Sequence, residues 1–104
     1  MQILESVKRQ LTRLHTCSSA YVLAHAAWSA CDHRALPGPS LLEISSQLDE
    51  SNKRLVNHLM HISSSVDYRN DDQAEMLRWL DKSGYSAYVA KQVKMTKKKL
   101  VDWE

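Results

Sequence analysis

Between Ser51 and Asn57 the chain places Asn52, Lys53 and Arg54, so that five side chains able to bind a polymer of phosphates and bases fall within one short segment. An asparagine carboxamide donates and accepts at once, which matches the edge of adenine. Arginine and lysine reach guanine or phosphate, and a serine at a helix start sits beside backbone amides that attract phosphate. A second group, Lys94, Thr96, Lys97, Lys98 and Lys99, offers simpler chemistry: positive charge that neutralises phosphates without reading bases. From Lys91 to Lys99 there are five lysines and no acid, whereas Asp67 to Asp81 holds five acids against two arginines. The net charge of +2 is therefore small, but the positive field is concentrated towards the C-terminal end.

Other constellations carry less. His15-x-Cys17 and Cys31-x-His33 form two matching pairs. Residues two apart on a helix point to different sides, so these pairs suit zinc only if both lie in loops. Buried thiols and surface imidazoles are the simpler expectation. His58 and His61 share a helical face but lack a third ligand nearby, and no metal or cofactor is expected. The chain has neither a glycine-rich phosphate loop nor a nucleophile motif, so no enzymatic activity is expected. Trp28, Trp79 and Trp103 read as core anchors.

The two polar groups sit in a repeat. Residues 44–58, Ile44 to His58, align without a gap on Val89 to Trp103, with Gln47/Gln92, Lys53/Lys98, Leu55/Leu100 and Val56/Val101 identical. In the second copy Val89 and Val93 form one inner face, Ala90 is a small crossing residue, Met95 plugs a turn, Thr96 caps the second helix, and Leu100 and Trp103 form the other inner face. This pattern resembles the helix-turn-helix of bacterial and phage transcriptional regulators at every apolar position, with Lys94 standing where that family usually has glycine. In the first copy Ile44, Ser45, Leu48 and Leu55 fit, while Glu50 and His58 replace apolar residues. The stretch from Ala20 to Ile62 is also similar to the CaiF/GrlA group of enterobacterial activators, although it runs longer between Trp28 and Glu43. The resemblance implies contact with double-stranded DNA through Thr96, Lys97, Lys98 and Val101-Asp102 in the second copy. In the first it implies Ser51, Asn52, Lys53, Val56 and Asn57.

The elements that must position these residues are legible as helices. Ile3, Leu4, Val7, Leu11 and Leu14 recur at three- and four-residue spacing, predicting an N-terminal helix that either dimerises or packs into the core. Ala20 to Arg34 is apolar nearly all round, the mark of a buried central helix. Pro37-Gly38-Pro39 breaks the chain, and Ser40 with Glu43 forms a capping box for a helix over Leu41 to Leu48. A turn at Asp49-Glu50, a cap at Ser51 and a helix from Asn52 to Ile62 come next. Ser63 to Asp72 reads as a connector with a short strand, a vestigial wing, near Val66 to Tyr68. Helices at Ala74–Leu80, Tyr85–Val93 and Thr96–Glu104 complete the chain, with Gly84 as a stop signal.

With 104 residues, 43% hydrophobic, 25% charged, 2 Gly, 2 Pro and no Phe, the chain predicts a single all-α domain. It divides into an N-terminal helix (1–16), a first helix-turn-helix unit (20–62) and a second (73–104). No apolar run approaches the roughly 20 residues that span a bilayer. The charged, amphipathic N-terminus and the two cysteines predict a cytoplasmic protein with reduced thiols and no membrane contact. The expectation is a sequence-specific DNA-binding transcriptional regulator, a homodimer because one short helix makes too few contacts for operator specificity. The competing expectation is a helical protein-interaction adaptor of phage or plasmid type. In that reading the motif serves as scaffold and the basic helix docks on another regulatory protein.

Overall fold

A helix without a polar face needs cover on most of its sides, and the rest of the chain gives it to α2 (Ser18–Cys31), leaving Ser18 and Ser29 exposed. A computed structural model describes residues 2–15, 17–32, 34, 38–64 and 68–102, with side chains as far as Met95 in the last helix. The described residues form six α-helices and one 3-10 turn and contain no strand. Ala20, Val22, Leu23, Ala24, Ala27 and Cys31 of α2 are buried, and all five other helices surround this core. Its three buried alanines let neighbouring backbones come close. Among the described residues no helix is long and apolar enough to cross a membrane.

α1 (Gln2–Leu14) buries Leu4, Val7 and Leu11 in this core. Its apolar stripe is thus used within the chain and is not free to form the dimer contact that was one of its two expected roles. Lys8, with its side chain only 14% exposed, ties α1 to α5 by reaching Glu5 at 3.0 Å and Glu75 at 3.1 Å. His15 ends α1 with a positive φ of 58°, the left-handed turn that returns the chain towards α2.

α3 (Leu41–Gln47) begins as its sequence predicts, with the Ser40 Oγ accepting from the Glu43 amide at 3.2 Å. Only Leu48 and Asp49 separate it from α4 (Glu50–Met60). The cap of α4 is Asp49, whose Oδ1 accepts from the Asn52 amide at 2.8 Å, and not the expected Ser51. α4 therefore starts two residues earlier. The hydroxyl of Ser19 donates to the Gln47 carbonyl at 2.6 Å and holds the end of α3 against the start of α2. Past α4, the 3-10 turn Ile62–Ser64 buries Ile62.

Of the expected strand, Val66 and Asp67 lie outside the described residues. Tyr68 belongs to no strand: its hydroxyl donates to the Ala30 carbonyl at 2.7 Å. α5 (Asn70–Lys82) starts earlier than its apolar residues suggest, because Asp72 Oδ2 accepts the Arg69 amide at 2.9 Å. Gly84, at φ 90°, makes the turn into α6 (Tyr85–Asp102). Tyr85 and Tyr88 moor the start of α6, donating to the carbonyls of Leu11 and His15 and of Cys17 respectively.

α6 is one unbroken helix, which corrects the second helix-turn-helix unit. The repeat explains the difference. Asp49, which caps the second helix of the first copy, corresponds to Lys94, which has no acceptor with which to cap. Val93, Lys94 and Met95 contain no glycine or proline, and lysine and methionine both favour helix, so nothing interrupts the hydrogen-bond ladder.

Two outcomes test this fold. Lys94→Gly should lower helicity and cost about 1 kcal/mol, a fall in Tm of about 4–8 °C. A turn at this position would leave the Tm unchanged or raised. Burial also holds the phenols of Tyr21, Tyr68, Tyr85 and Tyr88 above their ordinary range. The unfolded chain then loses phenolic protons first, so stability should fall as pH rises past about 10. Urea midpoints at pH 8 and about 11 measure the fall, which should be smaller in Tyr68→Phe.

Candidate functional site

The apolar face of α4 packs on α1 and α2, and this sets which of its polar side chains meet water. With Asp49 as the cap, Asn52, Val56 and Leu59 fall at four- and three-residue spacing on the buried face, and Leu55 is half-buried beside them. Glu50, Ser51, Arg54, Asn57, His58 and His61 are all exposed. At about 100° per residue they occupy roughly a third of the helix circumference. This strip contains no apolar residue.

Of the first expected set, Ser51, Arg54 and Asn57 are therefore on the strip. Lys53 is half-buried at its edge with its Nζ 3.5 Å from a Glu50 carboxylate oxygen. Asn52 is corrected: it is 3% exposed and cannot reach a nucleic acid. Among the described residues its Oδ1 has no hydrogen-bond partner. Val56, implied by the resemblance as an exposed position, is buried as well. The resemblance implies exposure at both positions, whereas the four- and three-residue spacing from Asn52 through Val56 to Leu59 puts them on one buried face. His58 and His61 join the strip at spacings of four and seven from Arg54, a signal that the sequence contains and that a metal-pair reading of the two histidines overlooks.

The second expected set is carried by α6. Lys91 and Lys94 are exposed, while the side chains of Thr96, Lys97, Lys98 and Lys99 lie outside the described residues. α4 rests mainly on α1 and α2, and α6 on α2 and α5, so the two sets have separate supports. Asp49 and Glu50 place two exposed acids at the start of α4. These repel phosphate there and leave Arg54 onwards as the part of the strip suited to an anionic partner.

A different side of α4 is apolar. Here α2, α3 and the end of α4 enclose an open groove of about 440 Å³, with walls that include Val22, Ala26, Ile44, Val56, Leu59 and Met60. Gly38 lies so close over the His25 imidazole in its wall that an added Cβ would collide with the ring. Met60 in its wall is 70% exposed, and Leu41 and Leu42 in the first turn of α3 are 80% and 77% exposed.

The thiols belong to neither face. Cys17 and Cys31 are free and mark opposite ends of α2, about 20 Å apart at the helical rise of 1.5 Å per residue, too far to share a bond or an ion. Burial pushes the Cys31 thiol up in pKa, opposed by its hydrogen bond from Tyr68 and reinforced by the charge of Asp72. His33, the other half of one expected pair, lies outside the described residues.

Replacing Asn52 with leucine, close to it in size, should remove an unsatisfied buried oxygen and raise stability by about 1 kcal/mol, read as a higher urea midpoint. A solvent-facing Asn52 would leave the midpoint where it is. Comparison with protein-family models, curated proteins and solved structures finds no match for this chain.

Proposed function

We propose that this chain is a DNA-binding regulator of transcription that contacts duplex DNA through the outward strip of α4. The observation that carries the reading is the strip itself. A short helix, a two-residue connection and a second helix stand on a deeply buried third, and the second helix turns Ser51, Arg54, Asn57, His58 and His61 to solvent. This is the arrangement in which a helix enters the major groove, with Arg54 suited to guanine or phosphate and Asn57 to adenine. The lysines of α6 add positive charge for the phosphate backbone. Lys97, Lys98 and Lys99 join Lys91 and Lys94 in that role as a matter of sequence.

A second reading is favoured by the exposed Lys91 and Lys94 and the absence of acids from 91 to 99. There the protein is an adaptor whose basic helix docks on an acidic regulatory protein, with α3 and α4 as scaffold.

Fluorescence anisotropy on a duplex of mixed sequence separates the two. A DNA contact of two to four phosphates loses roughly 10- to 150-fold in affinity between 50 and 200 mM salt. The double variant Arg54→Ala, Asn57→Ala should weaken binding to a selected duplex about tenfold or more, and to random duplex less. Changing Lys97, Lys98 and Lys99 to glutamate should weaken both equally. Absence of duplex binding at 50 mM salt rejects the DNA reading, and capture of an acidic helical peptide under the same conditions supports the adaptor.

A further inference from the structure

We infer that His58 and His61 make the grip of α4 on DNA depend on protons: once protonated, they add two phosphate contacts beside Arg54, so the duplex is held more tightly as pH falls. This proton-dependence rests on the DNA-binding reading of the same strip and adds the condition under which the contact tightens. All three side chains are exposed. At about 100° per residue, His58 stands roughly 40° to one side of Arg54 and His61 roughly 20° to the other, so one narrow ridge carries them over about 10 Å of helix. His61 closes the helix, its amide donating to the His58 carbonyl at 3.1 Å, and the spacing therefore carries through to it. Arg54 is the one permanent cation on this ridge, because Lys53 lies at the strip's edge with its Nζ 3.5 Å from a Glu50 carboxylate oxygen. Imidazoles gain their proton between about pH 7 and 5.5, and two such protons raise the ridge from one positive charge to three.

The surroundings leave that charge free for a partner. Among the described residues neither histidine has a carboxylate within ion-pair distance. On α4 itself the acid is Glu50, eight residues before His58 and so about 12 Å away along the axis. Of the elements packed against α4, α1 carries one acid, Glu5, which is bound to Lys8 together with Glu75 and so lies towards α5. Its other cations, Arg9 and Arg13, are exposed. On α2 the ionisable neighbours are Tyr21, which lies near Glu43 of α3, and His25, in the wall of the apolar groove. The turn Ile62–Ser64 brings no charge. An anion approaching the ridge therefore meets the imidazoles without a competing carboxylate, and each protonated ring can displace counterions from one phosphate.

Fluorescence anisotropy of the full chain on one duplex, at about pH 8 and about pH 6 and over a salt series at each, tests this. The wild type should bind on the order of tenfold more tightly at the lower pH, with the slope of log affinity against log salt steeper by about one to two. In the double variant His58→Gln, His61→Gln the ratio of the two affinities should fall to about twofold or less. The double variant His58→Arg, His61→Arg fixes the charge and should bind tightly at both pH values, with its helicity by circular dichroism unchanged. A wild type that binds equally at both pH values overturns the proton-dependence and leaves the DNA reading standing. A pH ratio that survives in either double variant has the same meaning. Absence of duplex binding at both pH values in about 50 mM salt rejects the DNA reading itself, and the proton-dependence with it.

Discussion

A fourteen-residue helix with no polar face needs cover on most of its sides, and in this chain the five other helices supply it. That requirement fixes more than stability. It leaves α1, α4, α5 and α6 each with one buried and one free face, α3 adding only half-buried Ile44, so surface chemistry is decided by how each helix is rotated about its own axis. Ala20, Ala24 and Ala27 permit the crowding, and long-range polar ties then hold individual neighbours in place: Lys8 to Glu75, Tyr85 to the end of α1, Ser19 to the end of α3.

Rotation is where sequence reading succeeds or fails. Helical character is plain, because periodic apolar residues are bounded by Pro, Gly and Ser at the breaks, and Ser40 caps α3 as its spacing with Glu43 implies. The central position of α2 is equally legible from its want of a polar face. What misleads is the choice of cap before α4. Asp49 and Ser51 are both good caps, and local propensity does not rank them; burial of Leu48 in the core does, because it fixes Asp49 just outside the helix. Asn52 lies four residues before Val56 and seven before Leu59, so it shares their buried face whichever residue caps the helix.

The repeat teaches the same lesson from the other side. Two segments with matching apolar positions fold as a helix pair in one place and as a single helix in the other. Their shared residues supply faces to bury, which both arrangements satisfy. The break depends on one short acceptor side chain at position 49 that position 94 lacks. Apolar similarity is therefore a guide to what a segment packs against and a poor guide to where its backbone turns. The start of α5 shows the point again: Asp72 extends that helix beyond the apolar pattern by satisfying an amide at its end.

The ties between α1 and the last two helices bear on how the chain folds as it is made. The Tyr85 hydroxyl meets a carbonyl 74 residues earlier in sequence, and Glu75 meets a lysine 67 residues earlier. Loop closure over such separations is entropically costly and slow relative to forming single helices. On a ribosome α1 and α2 emerge first, and α2 would wait with much of its apolar surface uncovered until α5 and the start of α6 had emerged. Completion of the core therefore waits for α5 and the start of α6, and a nascent chain halted before Tyr85 would expose the central helix to chaperones and proteases.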